Sequence, residues 1–253
     1  MEDFDDLAAD LSGAVGRHEI FALFQPQMAL DTGGLVAVEG LCRWLHPDLG
    51  LIPPDLFIPL AERTGVIHEL GSFMVDECLG AADFWHEGGQ SVEVSVNVSP
   101  VQLADASFAK RLADRLRDRS LPQNALTVEI TESLPVTDLT IIVPRLVELR
   151  SLGLGVALDD FGTGHASIDQ LDRLPVTELK LDRSLIQGDQ AGAPEVLAGI
   201  MALAHARGLR VVAEGVETAA QLTLARSLGC DRAQGFLLGM PMARSDVDRL
   251  IAA

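Results

Sequence analysis

The chain has 253 residues, 48% hydrophobic and 22% charged, which supplies a sizeable core and excludes intrinsic disorder. Its 19 Lys and Arg against 37 Asp and Glu give a formal charge of -18, which argues against nucleic acid polymers or anionic membrane surfaces as partners. A small anionic substrate stays open if a cation stands between it and the carboxylates.

No uncharged apolar run approaches the roughly 18–20 residues of a membrane span. The opening MEDFDDLAAD lacks the basic-then-apolar order of a secretory signal. Cys42, Cys78 and Cys230 are odd in number and dispersed, so neither a disulfide framework nor a zinc pattern is expected, and a reducing cytoplasm fits best.

Leu7, Leu11 and Val15 recur at helical spacing and predict a lead-in helix within residues 1–20. A repeating unit then begins. Apolar runs at about 21–30, 35–44, 92–99, 126–132, 154–160, 177–182, 209–215 and 231–237 read as strands. Helical patterns fill most gaps, at 55–87, 100–119, 138–151, 165–173, 193–207, 217–228 and 244–252. Only the first two runs lack a helix between them; Asp31-Thr32-Gly33-Gly34 joins them as a turn, predicting a hairpin. Eight apolar strands alternating with helices over this length favour a closed TIM-like α/β barrel over an open sheet. No linker or composition shift divides the chain, so residues 1–253 are expected to form one domain.

The polar residues cluster where strands end. Successive runs close on Glu39, Asn97, Glu129 with Glu132, Asp159-Asp160 and Glu214, while Lys180 lies within the sixth. In a barrel these ends share one face, where active sites of such folds lie. Five carboxylates crowded together would be driven to protonate unless a cation relieves them. All-oxygen donors suit Mg²⁺ or Mn²⁺. The adjacent Asp159 and Asp160 could reach two ions, the arrangement of two-metal hydrolysis. Bland readings exist for each residue alone: a helix cap for Glu132, a turn residue for Asp160, a solvent-seeking stem for Lys180. The histidines show no zinc-protease spacing, and Gly162-Thr163-Gly164 alone is a poor phosphate-loop signal.

These residues sit in longer recognisable segments. They are Phe24-Gln25-Pro26, Val38-Glu39-Gly40-Leu41-Cys42-Arg43-Trp44-Leu45-His46-Pro47, Phe57-Ile58-Pro59-Leu60-Ala61-Glu62, Val96-Asn97-Val98-Ser99 with Gln102-Leu103, and Glu129-Ile130-Thr131-Glu132-Ser133. They continue with Asp159-Asp160-Phe161-Gly162-Thr163-Gly164, Lys180-Leu181-Asp182-Arg183-Ser184, Val212-Ala213-Glu214-Gly215-Val216-Glu217-Thr218 and Gln234-Gly235-Phe236. In this order, over nearly the whole chain, they closely resemble the EAL family of cyclic di-GMP phosphodiesterases.

The resemblance implies a TIM-like (β/α)8 barrel with the first strand antiparallel to the rest. It also implies hydrolysis of one phosphodiester bond of cyclic di-GMP to linear pGpG by in-line attack of a metal-activated water. Two Mg²⁺ or Mn²⁺ ions would be held by Glu39, Asn97, Glu129, Asp159, Asp160 and Glu214. Lys180 would position the attacking water and stabilise the developing charge, Glu214 would serve as base, and Glu132 would hold the loop after Asp160. Gln25, Leu41, Arg43, Asp182, Glu217 and Gln234 would contact the dinucleotide, Arg43 through a phosphate. A homodimer, and tethering to sensory or cyclase domains in a longer protein, are further family expectations.

Three departures stand out. Glu-Gly-Leu replaces the signature Glu-Ala-Leu at 39–41; strand alternation turns Gly40 away from the site, so a small effect is expected. Gly164-His165-Ala166-Ser167 replaces the usual Gly-Tyr-Ser-Ser. Phe24 and Phe236 stand where the family often has Tyr. Two competing readings remain: a non-catalytic cyclic di-GMP receptor acting through a protein partner, and a metal-dependent barrel enzyme with another phosphorylated or enolisable substrate.

Overall fold

The computed structural model describes residues 2–132, 139–162, 171–187 and 194–252. Helix α1 (Glu2–Leu11) leads into the hairpin β1 (Ile20–Ala29) and β2 (Leu35–His46), followed by β3 (Gly50–Ile52), α2 (Pro54–Thr64) and α3 (Ile67–Glu87). Then come β4 (Glu93–Asn97), α4 (Pro100–Ala104), α5 (Phe108–Leu116), β5 (Leu126–Thr131), α6 (Leu139–Ser151), β6 (Gly155–Phe161), β7 (Glu178–Leu181) and α7 (Arg183–Gln187). The chain finishes with α8 (Pro194–Ala206), β8 (Arg210–Ala213), α9 (Ala219–Leu228), β9 (Arg232–Gln234) and α10 (Arg244–Ile251).

The strands lie in the order β1-β9-β8-β7-β6-β5-β4-β2-β3, and β1 pairs β2 as well, so eight strands close into a barrel and β3 hangs outside on β2. β1 runs antiparallel to both β2 and β9, whereas β2, β4, β5, β6, β7, β8 and β9 pair in parallel. The expected barrel, its antiparallel first strand and the opening hairpin are therefore present. Buried Val, Leu and Ile of the strands form one core with the inner faces of the helices. Burying each such side chain contributes about 1.5–3 kcal/mol. A second cluster, built on Trp44, Phe57, Leu11 and Leu70, packs α1 and α2 against the outside of β2.

Local chemistry sets the boundaries. α2 begins on Pro54, whose fixed φ suits a first helical position, and α4 and α9 begin on capping boxes at Ser99 and Thr218.

The structure corrects several boundaries. The lead-in helix stops at Leu11 rather than running to 20: Gly13 takes φ 75°, and the Arg17 guanidinium satisfies the carbonyls of Asp10 and Ser12. Val15 lies in the following turns yet still packs on the second cluster. The pattern at 55–87 is two helices, broken where Gly65 adopts φ 80°. The pattern at 100–119 is likewise two, and β3 and α7 were unforeseen. Most of the 165–173 helical pattern, and the His165-Ala166 departure, lie outside the described residues.

Candidate active site

Parallel strands deliver their last residues to one end of the barrel. Asn97 ends β4 and pairs in register with Glu129 of β5; Asp159 of β6 pairs with Thr131, two residues further along β5. Glu39 comes from β2, Lys180 from β7, Glu214 directly follows β8, and Gln234 ends β9.

Lys180 is fully buried at the centre, which removes the solvent-seeking reading. Its Nζ lies 2.8 Å from Glu129 Oε2, 2.8 Å from Glu214 Oε1, 3.1 Å from Asp159 Oδ1 and 3.3 Å from Glu39 Oε2. Glu39 Oε1 accepts from Asn97 Nδ2 at 2.7 Å, and its Oε2 accepts from Gln234 Nε2 at 2.7 Å. Gln234 also donates to Gln25 at 3.1 Å and accepts from Gln27 at 2.9 Å. An amide ladder from β1 and β9 thus fixes the wall beside Glu39.

Asp160 is where backbone irregularity matters. Simple alternation would send Asp159 and Asp160 to opposite faces. The β6–β7 register shifts between Leu158 and Phe161, and Asp160 adopts φ 57°. Such bulges re-aim side chains. Ligand atoms of Asp159, Asp160 and Glu214 consequently lie within 4.8 Å of one another, as do those of Glu39, Glu129 and Asp159. Glu132 Oε2 accepts from Gly162 N at 2.6 Å, tethering the chain just beyond the bulge.

One ammonium faces four carboxylates, and the electrostatics follow. Burial pushes the Glu129 and Glu214 carboxyls well above the ordinary range, reinforced by Glu39 and Asp159 respectively. Burial likewise lifts Asp159 against the pull of Lys180, and lifts Asp160, helped by Asp159 and Asp182, to about 6. Glu39 is the exception: burial raises it, but Lys180, Gln234 and Asn97 outweigh that and hold it low. Burial would lower Lys180, yet the surrounding carboxylates hold it well above its usual value.

The donor set suits hard divalent cations. It is all oxygen, Asp159 belongs to both clusters, and Glu129 Oε1 is buried without a hydrogen-bond partner among the described residues. Asn97 presents its nitrogen to Glu39 here and has an amide oxygen to offer a cation.

A cavity of about 500 Å³ opens over this centre, lined by Gln25, Glu39, Asp159, Asp160, Asp182, Glu214, Glu217 and Gln234 among the expected residues. Asp182 also accepts from Ser184 N at 2.9 Å. Leu41 and Arg43 are half-buried on β2 but do not line the cavity; Arg43 Nη1 donates to the Cys42 carbonyl at 2.8 Å. Sequence reasoning gave no role to Asp55 or Arg183, which line the cavity, nor to Gln27 in the amide ladder. Asp55 lies in the first turn of α2, and the fold brings that helix end to the mouth. Phe236, half exposed at 56%, presents its ring at the rim. Phe24 instead packs edge-on against Trp85, with centroids 5.9 Å apart, where no hydroxyl is needed.

A family model for the EAL domain matches residues 8–241. This chain belongs to the EAL domain family. The bifunctional diguanylate cyclase/cyclic di-GMP phosphodiesterase MucR of Pseudomonas aeruginosa is 39% identical over 239 residues, covering 93% of this EAL domain and 35% of MucR. The cyclic di-GMP phosphodiesterase RocR of the same organism is 36% identical over 236 residues, covering 92% of this chain and 60% of RocR. The solved structure of the PaMucR phosphodiesterase in complex with c-di-GMP superposes with a TM-score of 0.88 at 38% identity, covering 96% of this chain and 99% of that one. The EAL domain described here thus spans 35% and 60% of the lengths of the curated MucR and RocR. None of its described helices is long and apolar enough to cross a membrane.

Proposed function

We propose that this EAL domain, residues 1–253 acting as one unit, is a metal-dependent phosphodiesterase that opens one phosphodiester bond of cyclic di-GMP to give linear pGpG. The observation that carries the reading is the pair of carboxylate clusters sharing Asp159, wrapped around Lys180 beneath an open cavity. Family membership and the relatives named for this activity support the substrate.

Glu39, Asn97, Glu129 and Asp159 would hold one Mg²⁺ or Mn²⁺ ion, and Asp159, Asp160 and Glu214 a second. Such a pair, when bound, supplies Lewis acidity and a nucleophilic water at neutral pH. The protein's own groups do the rest. Lys180 brings a fixed ammonium to where negative charge grows on the phosphoryl oxygens. Glu214, with a raised proton affinity, is suited to take a proton from the attacking water. Glu132 keeps Asp160 aimed through its bond to Gly162. Arg43 is assigned to a phosphate, for which its planar fork is suited once it leaves Cys42. Gln25, Leu41, Asp182, Glu217 and Gln234 would bind the dinucleotide. Homodimerisation, a cytoplasmic setting and tethering to sensory or cyclase domains complete the proposal; the greater length of the relatives supports the last.

The test is turnover of cyclic di-GMP with Mg²⁺ or Mn²⁺, a chelator control and chromatography of products. Metal-dependent pGpG is expected, and Glu39→Ala or Asp159→Ala should abolish it while the barrel still folds. Tight binding without product would replace the enzyme by the receptor reading. Full activity in either variant would remove the ligand assignment.

A further inference from the structure

Glu62 lies outside the barrel, on α2, and no role at the site falls to it. It is nevertheless bonded to the turn that carries Asn97. Ser99, two residues past Asn97, donates its hydroxyl to Glu62 Oε1 at 2.5 Å and accepts from Val101 N at 3.1 Å. Ser99 N donates to Gln102 Oε1 at 3.1 Å, closing the capping box of α4. The Gln102 amide is pressed against Gly71 of α3, where any Cβ would overlap it. On the barrel side Val98 N donates to Glu129 O at 2.9 Å.

Packing holds this turn at its two ends, through buried Val98 and Leu103, while Ser99 between them borders open space. A second cavity of about 410 Å³, lined by Glu62, Met74, Asn97, Val98, Ser99 and Gln102 among others, lies between α2, α3 and the barrel wall. Register with Glu129 and the burial of Val98 and Leu103 fix the strand end and the start of α4, and the polar clamp fixes the turn between them at Ser99. The short bond to a carboxylate is its strongest member, because charge-assisted hydrogen bonds are roughly twice as strong as neutral ones.

We propose that Glu62 is a positioning residue for the cation centre: through Ser99 it fixes the β4–α4 turn and so holds Asn97 against Glu39. This rests on the reading of Asn97 as a cation ligand.

The test is direct Mn²⁺ binding by electron paramagnetic resonance titration, without substrate. Glu62→Ala is expected to weaken Mn²⁺ affinity about 10-fold, the lower end of the usual range for groups that orient ligands. Glu62→Gln keeps an acceptor oxygen and is expected to recover most of that loss. Ser99→Ala, which removes the Glu62 bond and also the cap to Val101 N, should weaken affinity at least as much as Glu62→Ala, Ser99→Thr should resemble the parent, and Glu62→Ala with Ser99→Ala should be no worse than Ser99→Ala alone, since the Glu62 bond is already gone there. Should Glu62→Ala not fold, the two Ser99 variants decide. Unchanged affinity in Glu62→Ala, or equal losses in the Ala and Gln variants, would overturn the proposal while leaving the phosphodiesterase reading intact. A parent protein that takes up no Mn²⁺ would overturn both, and the parent titration alone shows which has failed.

Discussion

Gly40 stands where the family signature has alanine, and its surroundings explain why a side chain is missing. A Cβ there would overlap Cys78 Sγ of α3 and approach Ser95 O at 3.3 Å and Met74 Cε at 3.6 Å. It would point away from the cavity, so Glu39 and Leu41 keep their faces. Gly40 and Cys78 are therefore complementary partners. Gly40→Ala is expected to destabilise the fold by about 1–3 kcal/mol through overpacking, with little change in turnover. Adding Cys78→Ala should recover most of that loss in urea unfolding. Strict additivity of the two changes would show that the residues do not share the space. Strand alternation was enough to read the direction of Gly40 from the sequence. Its partner was not legible, because the contact joins a strand to a distant helix. Asp160 is the converse: adjacency suggested that both aspartates serve the site, but the bulge and φ 57° that let them do so leave no mark in hydrophobic patterning.

At the level of strands, the barrel is charged at both ends, for different reasons. Glu93, Glu178, Arg210 and Arg232 are the first residues of β4, β7, β8 and β9, at the end remote from the acidic centre. Arg210 Nη1 reaches Glu93 Oε2 at 2.7 Å and Glu178 Oε2 at 3.0 Å, and Arg232 Nη2 reaches Glu93 Oε1 at 3.0 Å. Two arginines and two glutamates neutralise one another there, whereas the opposite end leaves a surplus of carboxylates. Balanced charge plugs the barrel; unbalanced charge calls for a cation. Arg210→Met leaves buried Glu178, among the described residues, with Arg232 Nη1 at 3.9 Å as its ion-pair partner. Chemical denaturation should report a loss of about 1–3 kcal/mol, less than for a wholly buried pair because Arg210 is partly exposed. Metal-dependent turnover at saturating substrate should be unchanged. A large fall in turnover with stability intact would mean that the two ends are coupled. The sequence displayed the strands as apolar runs but not this plug, since a charged residue bordering an apolar run looks like surface until the barrel closes. β3 was hidden for another reason: three residues paired on the end of β2 are too short to show a pattern.

For the molecule as a whole, closure of the barrel forces carboxylates together in a chain that already carries a formal charge of -18. Without a cation the centre holds protons: Glu129 and Glu214 lie well above the ordinary carboxylate range and Asp160 is pushed up to about 6. A carboxylate raised on folding stabilises the fold while protonated, and that contribution is lost as pH climbs from the unfolded value through the folded one. Divalent binding must displace these protons, so affinity should rise with pH across the same window. At a Mn²⁺ concentration about 100 times its dissociation constant, the fold should gain about 2.7 kcal/mol. For a chain of this size that corresponds to a rise in Tm of about 5–10 °C. Thermal melts with chelator and with one fixed Mn²⁺ concentration, at pH 5.5 and pH 8, would measure it. The rise should be clear at pH 8, much smaller at pH 5.5, and reduced in Glu39→Ala at either pH, where only the Asp159, Asp160 and Glu214 cluster stays whole. Equal rises at both pH values, or an undiminished rise in Glu39→Ala, would mean that the cation screens the acidic surface at large; the carboxylates at the strand ends would then be no more than its densest patch.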